Sequence, residues 1–207
     1  MGETMRVLFF SDIHSDLKAL ERLVDQEADY YFCVGDLVSW ARGLDAAGEI
    51  LKRRAGRVFV IPGNHETAAN IESFCKTYGL ETMHAQSRQF GAVHLGALGY
   101  SNPTPFNTPG EYTEEEIEAH LKPFETLSPL VLACHCPPKN TALDQGFGQK
   151  HFGSTAIRSF IDRVSPRYFL CGHIHEAEGV QTNLGVDGKT IGINVGKRGY
   201  LLDLATV

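Results

Sequence analysis

The apolar residues fall in short blocks separated by polar, glycine-containing joints. Arg6 to Phe10 is an apolar run of strand length and reads as a buried strand. After it, Leu17, Leu20, Leu23 and Val24 recur at helical spacing, with Ser15 or Asp16 placed to cap the helix. Tyr30 to Val34 reads as the next strand. Leu44, Ala47, Ile50 and Leu51 mark a second helix, and Arg57 to Ile61 a third strand that Pro62-Gly63 stops. Helical spacing returns at Ile71, Phe74, Cys75 and Tyr78. This alternation predicts βαβ units with largely parallel strands.

The middle of the chain breaks the rhythm. Ser101 to Gly110 holds Pro103, Pro105 and Pro109 and predicts a loop. Thr113 and Glu116 form a capping box, so a helix opens there. Leu130 to Ala133 reads as a strand, Ser154 caps a helix carrying Ile157, Phe160, Ile161 and Val164, and Arg167 to Cys171 reads as a further strand. In the tail, Asp187-Gly188 and the segment Gly196 to Gly199 lie between apolar stretches and predict antiparallel hairpins.

Composition narrows the class. With 207 residues, 43% hydrophobic and 21% charged, the chain fits one globular domain rather than a disordered or fibrous one. Nineteen basic residues against 25 acidic ones leave a formal charge of −6. That argues against a long nucleic acid as partner, which requires a basic footprint. Five cysteines, an odd number without a regular framework, point to a reducing compartment. The longest apolar run is far short of a membrane span. Met1 to Arg6 lacks the pattern of a secretory signal. The expectation is a cytoplasmic protein with no membrane partner.

Five polar clusters follow predicted strands: Asp12-Ile13-His14, Gly35-Asp36, Gly63-Asn64-His65, His135, and Gly172-His173-Ile174-His175. Strand ends are where open α/β sheets form ligand sites. Asp12 to Asp36 is 24 residues and Asp36 to Asn64 is 28, each about one βα repeat, so these clusters should line one sheet edge. If the segments are extended, Asp12 and His14 share a side, as do His173 and His175. Singly, each cluster is more often a turn or a hydrogen-bonded core histidine. Jointly, in this order and each after a strand, they are hard to obtain by accident and point to one shared site. Of nine histidines, five lie in these clusters. His84, His94, His120 and His151 read as structural or surface residues, with His151 in a glycine-rich loop within reach of the site.

Together these motifs resemble the calcineurin-like metallophosphoesterase superfamily, from residue 12 to residue 175. The tract from His135-Cys136-Pro137-Pro138 to the final Gly-His-x-His-Glu is similar to small bacterial and archaeal members. Leu37 to Gly43 departs from the pattern of many relatives, which bears on substrate class rather than on metal binding. The resemblance implies an α/β fold, a four-layer sandwich of two mixed sheets flanked by helices. The clusters on the two sides of the proline-rich loop then meet where the sheets' strand ends face each other, and residues 1–207 are expected to form a single domain. It also implies two divalent ions, Mn most favoured, with Fe, Zn, Ni or Co as alternatives. One ion would be held by Asp12, His14 and His175 and the other by Asn64, His135 and His173, with Asp36 bridging them. A hydroxide between the ions would be the nucleophile. His65 would assist as the catalytic residue, stabilising charge or protonating the leaving oxygen, and Asn64 and His65 would contact substrate. Two carboxylates against two dications leave net positive charge to draw an anion. The bland alternative for His65 is that it only orients Asn64.

The thiols read as packing residues. Cys134 and Cys136 flank His135 on a strand and so point away from it, and Cys33 and Cys171 lie inside strands. Lys139, Lys150, Lys197 and Arg198 are loop cations, each more simply solvated than phosphate-binding. The proline-rich loop is a candidate wall of the site. Phe106 is a candidate stacking residue, and Trp40 is expected to serve packing.

The expected function is hydrolysis of a small-molecule or nucleotide phosphoester, a diester before a monoester, because the chain leaves no room for a substrate-capping domain. A nuclease comes next and a protein phosphatase third. A non-catalytic scaffold such as the phosphoesterase-fold subunit of retromer is the alternative of another class. It would have no need for the full set Asp36, Asn64 and His65.

Overall fold

The computed structural model describes residues 5–204; residues 1–4, which begin the segment tested for a leader, and 205–207 lie outside it. In the first half β1 (Arg6–Phe10), β2 (Tyr30–Cys33) and β3 (Val58–Val60) pair in parallel. They alternate with α1 (Leu17–Asp25), α2 (Leu44–Leu51) and α3 (Ala68–Tyr78). Asp16, rather than Ser15, caps α1, its carboxylate accepting from the Ala19 amide over 3.1 Å.

Three strands lie outside the elements assigned above: β4 (Glu81–Thr82), β5 (Gln86–Phe90) and β6 (Val93–Leu98), of which β6 does carry apolar residues, Val93, Leu95, Ala97 and Leu98. β4 is two residues long, and β5 is an edge strand with four of its five residues exposed, so neither carries an apolar signature. The second half adds α4 (Glu114–Leu121), β7 (Leu130–Cys134), α5 (Thr155–Val164), β8 (Tyr168–Cys171), β9 (Gln181–Leu184), β10 (Thr190–Asn194) and β11 (Tyr200–Asp203). The Thr113–Glu116 capping box is formed. The start of α5 is doubly capped, by Ser154 and by Glu114, which accepts from the Thr155 and Ala156 amides.

Two sheets result, ordered β11-β1-β2-β3-β4 and β5-β6-β7-β8-β10-β9. Both are mixed: β11 joins β1 antiparallel, and β5 and β9 flank a parallel centre antiparallel. β1 shows how the layers are built. Leu8 and Phe10 pack under α1–α3, while Val7 and Phe9 pack against Leu95, Val131 and Ile193 of the second sheet. The outer face of that sheet, with Leu132, Cys134 and Phe169, packs on α4 and α5. The order is helices, sheet, sheet, helices, the four layers expected.

One hairpin expectation holds and one fails. β9 and β10 pair antiparallel around Asp187-Gly188. Gly196 to Gly199 makes no hairpin, because β10 pairs with β8 in the second sheet and β11 with β1 in the first. Gly196 and Gly199, both at positive φ, turn the chain through a short 3-10 segment that crosses between sheets. The crossing ends beside the first cluster, where the Ser11 amide donates to the Gly196 carbonyl over 2.9 Å.

Candidate metal centre

Every cluster leaves the C-terminal end of a parallel strand. The segment after β1 runs beside the segment after β2, the amides of Asp12, His14 and Ser15 donating to the carbonyls of Gly35, Asp36 and Leu37 over 3.0–3.1 Å. The segment after β3 brings Asn64 and His65, β7 ends at His135, and β8 runs into His173 and His175. Across the two sheets, the His173 amide donates to the Asp12 carboxylate over 3.0 Å and His135 Nδ1 donates to the Val34 carbonyl over 2.8 Å.

The extended backbone expected for Asp12 and His14 is not found. Asp12, His14, Ser15, Asp36 and His173 all have φ between 45° and 68°, the left-handed region. For non-glycine residues this costs about 1–3 kcal/mol each and persists where surrounding contacts over-determine it. His173 and His175 do not share a side either. His175 opens a 3-10 turn, and the two rings join different groups of donors. Gly63 and Gly172 permit the close approach, since a Cβ at Gly63 would collide with the Asp36 carboxylate and one at Gly172 with Ser11 and Asp12.

The seven residues expected as ligands converge. Donor atoms of Asp12, His14 and His175 lie within 4.8 Å of one another. Asn64 Oδ1 stands 3.1 Å from His135 Nε2 and 2.8 Å from His173 Nδ1. Between these groups, Asp36 Oδ2 is 3.5 Å from His14 Nε2 and 3.4 Å from His135 Nε2.

The donor chemistry calls for positive charge. The Asn64 amide group donates to Thr108 Oγ1, so its carbonyl oxygen faces the two imidazoles. His135 uses Nδ1–H on Val34, so in the neutral ring Nε2 is an acceptor facing an acceptor. His14 Nε2 and His175 Nε2 stand 3.0 Å apart, where one neutral ring can donate to the other or both can face a cation. A cation resolves the first contact and fits the second. In the chain alone a proton does so at His135. Burial opposes its charge, but Asp36 overrides burial and raises the ring's pKa to about 9. Burial lowers His14 to about 4 and His173 to about 3, and raises Asp12. Burial also opposes the Asp36 charge, yet His135 and His14 hold that carboxyl below its ordinary range. Carboxylate, imidazole and amide donors in this arrangement fit borderline divalent ions.

His65 lies beside this group, its ring edge-on to His14 at 5.1 Å and to Trp40 at 5.5 Å. Its amide donates to Asp36 Oδ1 over 3.0 Å, and its Nδ1 accepts from the Trp40 amide over 3.3 Å. The neutral ring therefore carries its proton on Nε2. Trp40 is 47% exposed at the rim of the site, so the packing role expected for it is corrected to a contact with His65. The proline-rich loop does wall the site, through Pro103, Pro105 and Phe106.

Two supporting residues escaped sequence reasoning. Glu66 is fully buried and accepts from the amides of Asp36, Gly63 and Val38 over 3.0–3.2 Å. Burial, and then the Asp36 charge, push its carboxyl up to about 8. Its place directly after Gly63-Asn64-His65 was the one signal in the sequence. Asn194 donates from its buried amide to the carbonyls of Gly172 and Ile174 and so holds the last cluster. No local motif marks it.

The other histidines stay outside. His84 bonds the Gly99 amide and the Tyr112 hydroxyl. His151 pairs with Asp144 over 2.7 Å rather than reaching the site. All five cysteines are buried and free, with Cys134, Cys136 and Cys171 in the outer core as expected. Lys139 donates to the His151 carbonyl and Lys197 to Asp16, so both cations are engaged within the fold.

Two mixed sheets with helices outside, and a histidine–carboxylate centre at their strand ends, define an α/β sandwich of the metallophosphoesterase class. The model of the family described as Calcineurin-like phosphoesterase matches residues 5–177, and the chain belongs to that family. It is 30% identical to the uncharacterized protein MJ1162 of Methanocaldococcus jannaschii, over 98% of this chain and 93% of that one. Among solved structures it is similar to TT1561 of Thermus thermophilus, with a TM-score of 0.69 and 16% identity, covering 97% and 99% of the two chains. It is also similar to a dimetal phosphatase from Danio rerio, with a TM-score of 0.61 and 11% identity, covering 91% and 86%. These structural likenesses are likenesses of fold. Among the described residues, no helix is long and apolar enough to cross a membrane.

Proposed function

We propose that the chain is a dinuclear metal-dependent phosphoester hydrolase that favours small diesters. The observation that carries this reading is the place of Asp36, whose Oδ2 stands 3.5 Å and 3.4 Å from ring nitrogens of His14 and His135, one from each group of donors. Asp12, His14 and His175 would hold one ion, Asn64, His135 and His173 the other, and Asp36 both. Bound divalent ions, Mn²⁺ first and Fe, Co, Ni or Zn as alternatives, supply Lewis acidity toward the phosphoryl oxygens and lower the pKa of water.

The protein's own residues do the rest. The Val34 carbonyl fixes the tautomer of His135, and Thr108 fixes the amide of Asn64, so donors point inward before substrate arrives. His65, with its proton on Nε2, is placed to offer a hydrogen bond to the leaving oxygen and so stabilise the charge that develops there. Asn64 and His65 both line the cavity that would receive the phosphoester. A reducing, cytoplasmic setting agrees with five buried free thiols.

The test is hydrolysis of bis-p-nitrophenyl phosphate and p-nitrophenyl phosphate by metal-stripped protein with Mn²⁺ restored, and by Asp36→Asn. Mn²⁺-dependent cleavage of the diester, lost in the variant, is expected. Preference for the monoester would overturn the substrate class. Cleavage of neither ester with any of the five metals would overturn the hydrolase reading in favour of a protein-binding scaffold.

A further inference from the structure

Beside the donor cluster lies a cavity of about 430 Å³ whose far walls are apolar. Phe106 lines it from the proline-rich loop and Phe147 and Phe152 from the loop after β7, and the three are 73%, 86% and 40% exposed. Large apolar side chains held this open to water mark a recognition surface when they cluster around a cavity.

The two walls come from different parts of the chain and are held differently. Phe106 sits in the proline-rich loop, which Glu111 anchors by accepting from the Thr104 hydroxyl and from both the amide and the hydroxyl of Thr108. Phe147 sits between Gly146 and Gly148, the latter at φ 67°, in a loop tied at its base by Asp144. That carboxylate accepts from the amides of Asn140, Thr141 and Gly153 and pairs with His151. One aromatic is therefore on a braced loop and the other on a glycine-flanked tip with a fixed base.

The charge of the cavity is as informative as its shape. Among the described residues lining it there is no Lys or Arg, and beyond the donor cluster its one charged side chain is the carboxylate of Glu176. A phosphate held at the donor cluster would meet its counter-charge there. Among the side chains that line the rest of the cavity, a second phosphate would find an anion and no cation. This disfavours nucleoside diphosphates, dinucleoside polyphosphates and other substrates with anions beyond the scissile group.

We propose that Phe106, Phe147 and Phe152 form a specificity pocket for an uncharged aromatic ester group, so that the substrate is a phosphodiester whose only anionic group is the scissile phosphate. This rests on the hydrolase reading above. An aromatic ring of phenyl or heterocycle size fits the volume, and the lining phenylalanines can offer edge and face contacts to it.

The test uses two monoanionic diesters with the same leaving group, phenyl p-nitrophenyl phosphate and methyl p-nitrophenyl phosphate, and the metal-loaded protein. The wild type is expected to favour the phenyl ester in kcat/KM by about tenfold, the effect of one well-placed aromatic contact. In the Phe106→Ala/Phe147→Ala double variant that ratio is expected to fall close to one, chiefly through KM for the phenyl ester, and Phe106→Leu/Phe147→Leu is expected to keep part of it. Both side chains are exposed, so the fold does not depend on them. A ratio unchanged in the double variant, while the wild type cleaves both esters, would overturn the pocket and leave the hydrolase standing. Cleavage of neither ester by the wild type would overturn both.

Discussion

The amide of Asn64 donates to the hydroxyl of Thr108 over 3.2 Å, and that hydroxyl donates onward to Glu111 over 2.6 Å. Because the Thr108 proton is committed to a carboxylate, the hydroxyl can only accept from Asn64. The carbonyl oxygen of Asn64 is thereby turned toward His135 and His173. A loop 44 residues downstream of Asn64 thus decides which end of its amide faces the centre.

Thr108→Val keeps the shape and removes the acceptor. Loss of such a supporting bond typically costs about 10–100-fold in metal affinity or activity. The expected outcome is weaker Mn²⁺ binding by that factor in isothermal titration, with the far-ultraviolet circular dichroism unchanged and Thr108→Ser close to wild type. Unaltered affinity in Thr108→Val would show that Asn64 is oriented by other contacts.

Glu66 serves stability through the same region. Its two oxygens satisfy three buried amides, those of Asp36, Val38 and Gly63. Each left unpaired costs about 1–3 kcal/mol. Glu66→Ala is expected to lose at least about 3 kcal/mol in urea unfolding. Glu66→Gln, which keeps one strong acceptor and matches a carboxyl shifted up to about 8, should lose about 1 kcal/mol. Equal losses in the two variants would contradict this account.

A pH dependence follows from His84. Its Nδ1 accepts from the Gly99 amide over 3.1 Å, which requires an unprotonated nitrogen, and burial lowers its pKa to about 4. Unfolded, the ring titrates near 6.5, so between these values the unfolded chain binds the extra proton. The contribution to stability is complete above about pH 6.5 and is lost as pH falls toward 4, up to about 3 kcal/mol in all. His84→Gln retains an acceptor without the titration. The difference in Tm between wild type and variant, both metal-free, is expected to narrow or reverse from about pH 7 to about pH 4.5. A constant difference would rule out this role.

The chemistry-bearing residues were legible because each follows a strand whose apolar run is local. Asp12, Asp36, Asn64, His135, His173 and His175 could be placed at strand ends from spacing alone, and parallel βαβ order puts such ends on one edge. The helices were legible for the same reason, since caps such as Asp16, Thr113 and Ser154 act within four residues. Apart from β6, whose buried Val93, Leu95 and Ala97 form a local apolar pattern, what escaped was non-local or lacked an apolar signature. β5 is polar because it is an exposed edge, and β11 leaves its neighbour β10 to pair with β1, nearly 200 residues away in sequence, which no local pattern encodes. Neither the left-handed backbone of Asp12 and His14 nor the Thr108 bond to Asn64 exists until the sheets pack. The same holds for the lining of one cavity by both Phe106 and Phe147. Sequence alone determined which groups stand at the strand ends, because strand and helix signals act over a few residues. Tertiary structure decided how they are oriented and what surrounds them, because hydrogen bonds and packing join residues that the chain keeps far apart.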